Sequence, residues 1–215
     1  MSSTPLHHVV YKGRDAAAAG ASLLLLLHGY GSNEEDLIGL APYLDSRLLC
    51  VSARAPHELD FGGFAWFAIE SGPDGVRFDY EQAMQSLQHI YELLQSLDQE
   101  HAAERVIVAG FSQGASMALA AALNQPQRVA AVAALSGVCG EEILPADRES
   151  VRGLPVLMTH GRQDEVIPVA QARSSKVLLE QLPIDLEYRE YDMGHAIDQA
   201  CLADFKEWLD TRCGF

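Results

Sequence analysis

The sequence predicts an α/β fold: a mostly parallel central sheet with helices on both faces. Three observations carry this. Short apolar runs alternate with longer helical patterns almost to the C-terminus. Several of those runs are continuously apolar rather than alternating, as parallel strands covered on both faces are. The composition, 48% apolar and 21% charged, is ordinary for a globular chain and leaves no room for disorder or collagen. Alternating strand and helix imply βαβ units with right-handed crossovers. The length of 215 residues suits one domain over 1–215, large enough to bury about 70% of its unfolded surface without disulfide or metal.

The strand-like runs are 8–11, 22–27, 47–53, 105–109, 129–135, 155–159 and 186–191. Between them lie helices. Asp79 can cap one that aligns Tyr80, Ala83, Leu87, Ile90, Tyr91, Leu94 and Leu97, with Gln82 placed to complete a capping box. An Ala-rich helix over 113–124 follows a strand directly. Pro168 suits the first turn of a helix ending near Leu182. The last helix, 197–209, aligns Ile197, Cys201, Phe205 and Trp208. Two long connections remain: 54–78, rich in aromatics and glycine, and 136–153, polar with part-helical character. Loops of that length inside a compact domain are usually functional.

Charge and cysteines narrow the setting. The formal net charge of −15 argues against nucleic acid as a partner and against an anionic membrane surface. Cys50, Cys139, Cys201 and Cys213 are too few for a disulfide scaffold and match no zinc spacing, which points to buried free thiols in a reducing compartment. The uncharged stretch 16–27 is shorter than the roughly 20 residues a membrane span needs. Asp15 interrupts its basic flank and no small-x-small cleavage site follows, so the expectation is a cytoplasmic protein without stable membrane insertion.

The chemistry is concentrated in Gly110-Phe111-Ser112-Gln113-Gly114. This G-x-S-x-G lies between a strand and a helix, the context a nucleophile elbow requires. The serine sits on a strained turn, flanking glycines remove side chains that would clash, and the helix N-terminus favours developing negative charge. The plainer alternative is a βα turn with an N-cap serine. A serine hydroxyl needs a base. His195 follows the last strand, and Asp164 follows the strand 155–159, so both fall at carboxyl ends of strands, where open α/β sheets build their sites. Glu165 and Asp192 are rival carboxylates, although Asp192 lies too near His195 in sequence to face its ring easily. His28 and His160, each before a glycine after a strand, read as partners of loop backbone; His7, His8, His57, His89 and His101 read as surface residues. No His/Asp/Glu spacing suggests a metal. Oxyanion donors are expected at the backbone N–H groups of Gln113 and of Tyr30, in the loop after strand 22–27.

The segments LLHGYGSNEEDL, APH…WF, GFSQGASMAL, LSG, HGRQDEVIP and MGHAI, in that order over about 24–209, resemble the phospholipase/carboxylesterase group of α/β-hydrolases, which includes acyl-protein thioesterases. The resemblance implies an α/β-hydrolase fold without a cap domain, with Ser112, Asp164 and His195 as triad and Tyr30 and Gln113 as oxyanion donors. It also puts Trp66 in the acyl-side wall; with Phe64 from the same aromatic loop, these are the expected substrate-binding residues. Asn33–Asp36 looks more like bacterial carboxylesterases than eukaryotic thioesterases.

The expected activity is hydrolysis of carboxylic esters with short-to-medium acyl chains through an acyl-enzyme. The alternatives are a thioesterase or lysophospholipase acting on long chains and, outside enzymes, a ligand-binding module on the same fold. The implied substrate is a small-molecule or lipid ester. No cofactor and no metal is implied, and a homodimer is left open.

Overall fold

The apolar runs fold into strands β1 (His8–Lys12), β2 (Ser22–Leu27), β3 (Leu48–Ala53), β4 (Arg105–Phe111), β5 (Ala131–Leu135), β6 (Pro155–Gly161) and β7 (Asp185–Tyr191). They form one seven-stranded sheet in the order β1-β3-β2-β4-β5-β6-β7. Only β1 is antiparallel, pairing His8 with Ala53 through Lys12 with Leu49; the other neighbours run parallel. The computed structural model describes residues 6–16, 20–72 and 75–214.

Helices α1 (Glu34–Ile38), α2 (Tyr80–His101), α3 (Gln113–Asn124), α4 (Val169–Leu179) and α5 (Gln199–Cys213) cover the sheet. The period of two along β2 divides them. Leu23, Leu25 and Leu27 bury against residues of α2, α3 and α4, whereas Leu24 and Leu26 bury on the other face with Leu37 of α1 and Phe205, Trp208 and Leu209 of α5. Continuous apolar residues over 23–27 are therefore needed, because both faces of the strand are dry.

The order of strands fixes where a site can lie. From β2 the chain moves outward to β3, then returns to β4 on the other side of β2 and continues to β7. Loops leaving β2 and β4 run to opposite sides, which makes their carboxyl ends the topological switch point where open α/β sheets place ligands. The register Leu27↔Gly110 sets the loop after β2 beside the turn after β4.

Some local expectations are corrected. Gln82 donates its N–H to Asp79 Oδ1 at 3.0 Å, but its own side chain accepts from Ala68 N–H instead of closing a capping box. The Asp79 N–H already bonds the Ala68 carbonyl, so nothing is left there to cap. Tyr80, at the helix start, is exposed rather than on the apolar face. Helix α4 stops at Leu179, earlier than expected, and α5 spans Gln199–Cys213 behind an Asp198 cap. The 54–78 connection is not featureless: His57–Glu58 pairs with Phe64–Ala65, and Ile69–Gly72 with Gly75–Phe78. Between β5 and β6 there are only short 3₁₀ turns, Glu141–Ile143 and Arg148–Val151, and no separate cap. Cys139 and Cys201 are buried free thiols and Cys50 is buried; the Cys213 side chain lies outside the described residues. Among the described residues no helix is long and apolar enough to cross a membrane.

Candidate active site

Ser112 occupies the sharp turn between β4 and α3 with φ 55° and ψ −118°, a conformation that costs a non-glycine residue of order 1–3 kcal/mol. The surrounding packing holds it there. A Cβ on Gly110 would come within 2.1 Å of the Gly114 carbonyl oxygen, and one on Gly114 within 2.0 Å of the Leu27 oxygen. The two glycines thus let α3 press directly onto β4 and the end of β2, which is why the pentapeptide needs both.

His195, the expected base, is brought in by the far loops. His195 Nε2 lies 2.9 Å from Ser112 Oγ, and His195 Nδ1 lies 2.7 Å from Asp164 Oδ2. Since the carboxylate can only accept, the ring proton is on Nδ1 and Nε2 is free to take the serine proton. Phe111 stacks at a tilt on the imidazole, centroids 4.9 Å apart, and Ser136 Oγ donates to the next residue's carbonyl, Ala196 O, at 3.3 Å. The Asp164 and His195 loops are packed backbone to backbone: a Cβ on Gly161 would sit 2.3 Å from the Gly194 and Met193 oxygens.

Asp164 is buried, and its Oδ1 accepts the N–H groups of Val166 (2.9 Å) and Ile167 (2.8 Å). Burial by itself would raise its pKa, but the His195 hydrogen bond and the two backbone donors outweigh it and hold the carboxyl below its ordinary value. The rivals are elsewhere. Asp192 bonds Arg162 at 2.8 Å on the surface, and Glu165 is exposed.

The expected oxyanion donors lie where the loop after β2 meets the turn after β4. A Cβ on Gly29 would lie 3.4 Å from Ser112 Cβ, so this backbone passes in contact with the nucleophile turn. Neither the Tyr30 nor the Gln113 N–H bonds another backbone group among the described residues. The Gln113 side chain is committed elsewhere: its Oε1 accepts from Trp66 N–H at 2.8 Å and its Nε2 donates to Phe67 O at 2.7 Å. His28 is buried, donating from Nδ1 to Gly29 O and accepting the Ala55 N–H at Nε2, as expected of a partner for loop backbone. Burial lowers its pKa, in keeping with that uncharged role.

Trp66 is a correction. Its exposure is 0%, and its Nε1 donates to His28 O at 2.9 Å, so the indole is part of the core beneath the oxyanion loop and offers no wall to a substrate. A large aromatic with one polar edge fits either place; here the buried His28 carbonyl draws the indole inward. Phe64 is half-buried under the Arg54 guanidinium, 4.5 Å above its ring, and its backbone bonds Gly31 and Ser32. Phe61 is 73% exposed and leans on Tyr30, ring centroids 6.3 Å apart. The sequence reading missed the supporting roles of the Gln113 amide, Ser136 and Ser86, whose hydroxyl donates to the Trp66 carbonyl. Nothing in their local pattern marks them. Among the described residues no cluster of potential ligands could hold a metal.

Comparison with known proteins agrees with this architecture. The sequence model of the phospholipase/carboxylesterase family matches residues 7–213. A probable carboxylesterase of Oryza sativa subsp. japonica is 28% identical over 219 residues, covering 92% of this chain and 91% of its own. Acyl-protein thioesterase 1 of Kluyveromyces lactis is 29% identical over 214 residues, covering 90% and 92%. Among solved structures, esterase PE8 superposes with a TM-score of 0.84 at 29% identity, covering 97% of this chain and 99% of its own. The Bacillus cereus carboxylesterase gives 0.82 at 27% identity, covering 98% and 96%. The sheet and the family match over nearly the whole sequence lead to one conclusion: the chain belongs to the phospholipase/carboxylesterase family of α/β-hydrolases and is an ester hydrolase.

Proposed function

We propose that the chain is a carboxylesterase for short-to-medium acyl chains, with Ser112 as nucleophile, His195 as general base and acid, and Asp164 as the group that orients the imidazole. The hydrogen-bonded line Ser112–His195–Asp164, at 2.9 and 2.7 Å, carries this reading. His195 Nε2 takes the Ser112 proton as Oγ attacks the ester carbonyl. The Tyr30 and Gln113 N–H groups receive the oxyanion. Nε2 then returns the proton to the departing alcohol, leaving an acyl-enzyme. A water, deprotonated by the same nitrogen, releases the acid and restores the serine.

The absence of a cap between β5 and β6 and the exposure of Phe61 support an open site. An exposed aromatic edge touching a few methylenes gives about 0.8 kcal/mol for each one buried, so selectivity between neighbouring chain lengths is shallow. Phe61 and Phe64 border the acyl side. A cytoplasmic location rests on the buried free thiols Cys139 and Cys201, which suit a reducing compartment. A thioester substrate is the second reading, favoured by the likeness to the Kluyveromyces lactis thioesterase.

The test is Ser112→Ala, which abolishes fluorophosphonate labelling and lowers kcat by about 10⁴–10⁶ with the fold intact. Labelling that survives or moves to Ser32 or Ser136 overturns the assignment. Esters and thioesters of graded chain length, assayed side by side, decide the leaving group and the chain optimum.

A further inference from the structure

We propose that His160 is a positioning residue for the Asp164 carboxylate, an inference that rests on the triad reading above. His160 is the penultimate residue of β6, four residues before Asp164, and both side chains are 0% exposed. Its Nε2 lies 2.8 Å from the Ile167 carbonyl oxygen and 3.3 Å from Asp164 Oδ2. A carbonyl oxygen only accepts, so the proton is on Nε2 and is donated to the Ile167 carbonyl, with Asp164 Oδ2 in contact beside it at 3.3 Å.

This bond closes a ring of contacts around the carboxylate. His160 holds the Ile167 carbonyl, and the Ile167 N–H donates to Asp164 Oδ1. Asp164 Oδ2 lies between His195 and His160. With both oxygens engaged, the carboxylate cannot turn about its last bond without breaking at least two hydrogen bonds. The orientation of His195 toward Ser112 depends on that fixed plane.

The other ring nitrogen makes the case from the opposite direction. His160 Nδ1 is buried with no hydrogen-bond partner among the described residues. An orphaned buried acceptor is unfavourable, and an apolar side chain of similar volume would avoid it. Packing alone therefore does not account for a histidine here, whereas a donor aimed at the Asp164 turn does. The i, i+4 spacing of His160 and Asp164 lies across a strand end and a turn rather than along a helix, so only the folded loop brings them together.

The experiment compares His160→Leu, His160→Gln and His160→Asn with the wild type and with Asp164→Asn. Each is assayed for kcat and KM on p-nitrophenyl acetate and for melting temperature. A glutamine can place an N–H where Nε2 sits; an asparagine places it near Nδ1. Leu and Asn should lower kcat roughly 10- to 100-fold, the scale expected of a misplaced catalytic group, with KM changed less than about threefold. Gln should recover most of that loss. In an Asp164→Asn background, His160→Leu should cost less than about twofold more, because its effect passes through the carboxylate. A fully active Leu variant, or Gln no better than Asn when both melt alike, overturns the proposal and leaves the triad standing. Wild-type kcat in Asp164→Asn overturns both.

Discussion

The Trp66 indole N–H donates to the His28 carbonyl oxygen at 2.9 Å, tying the aromatic 54–78 connection to the end of β2. Two residues beyond His28 is Tyr30, whose N–H is one of the two proposed oxyanion donors. Trp66 is tied again from below, its N–H by Gln113 and its carbonyl by Ser86. The wall loop, the oxyanion loop and the elbow are thus joined through one buried residue.

Trp66→Phe removes that donor and some core volume. Stability should fall by about 2–3 kcal/mol, from the unpaired His28 carbonyl and the partly filled space. The relative rates for esters of different chain length should keep their order, because the indole has no exposed surface. Thermal melts and the ester series check this; a reshaped series at unchanged melting temperature would return Trp66 to the acyl wall.

Phe61→Ala should do the reverse. At 73% exposure the ring contributes little to folding, so stability should change by no more than about 0.5 kcal/mol. KM for longer acyl chains should rise several-fold while acetate turnover holds, as measured on the same ester series.

Ser112→Gly and Ser112→Ala should be equally inactive and unequally stable. Both lose the hydroxyl, but only glycine adopts φ 55°, ψ −118° without strain. The glycine variant should be the more stable by about 1–2 kcal/mol in urea unfolding. Equal stability would mean that the turn relaxes once the serine is gone.

Gln113 separates a backbone role from a side-chain role. Gln113→Ala keeps the N–H, so kcat should drop tenfold or less, against about 10²–10³ for a lost oxyanion donor. Its stability should fall by about 2–4 kcal/mol, since the Trp66 N–H and Phe67 carbonyl both lose their partner. Gln113→Glu should be less stable still, because it turns an acceptor toward the Phe67 carbonyl. Paired kinetics and melts decide it.

Glu34 should be one of the sources of acid sensitivity. The Arg54 hydrogen bonds, opposed by burial, lower its pKa from 4.5 to about 2. A carboxyl with a depressed folded pKa contributes stability that is complete above its unfolded value and is lost as pH falls toward the folded one. Glu34→Gln should therefore flatten the loss of stability between pH 4.5 and about 2, the window set by those values. At neutral pH, Arg54→Ala should cost about 1–2 kcal/mol by leaving a buried carboxylate without its guanidinium. Urea unfolding across that pH range measures both.

Much of the candidate site was legible in the chain itself, for local reasons. Ser112 stood out because a strand, a sharp turn and an Ala-rich helix are all short-range patterns, and the turn needs glycine on each side. Asp164 and His195 could be ranked because each directly follows a strand whose apolar run is easily seen. Tyr30 followed from the glycines after β2. The side-chain clamps were not legible. Gln82 looked like half of a capping box until Ala68 proved to be its partner, and Gln113 carried no mark of its grip on Trp66 and Phe67.

By itself, then, the sequence determined the alternation of strand and helix, the two-faced burial of β2 and the order Ser112, Asp164, His195. Each of these depends on periodicity or on neighbours within a few residues. Only the tertiary structure decided that Trp66 turns inward and Phe61 outward, that Asp192 serves Arg162, and that His160 meets Asp164. Those outcomes depend on which unpaired backbone groups and charges the packed loops leave within reach. Such groups come from segments far apart in the chain, and their positions exist only once the sheet has brought β2, β4, β6 and β7 together.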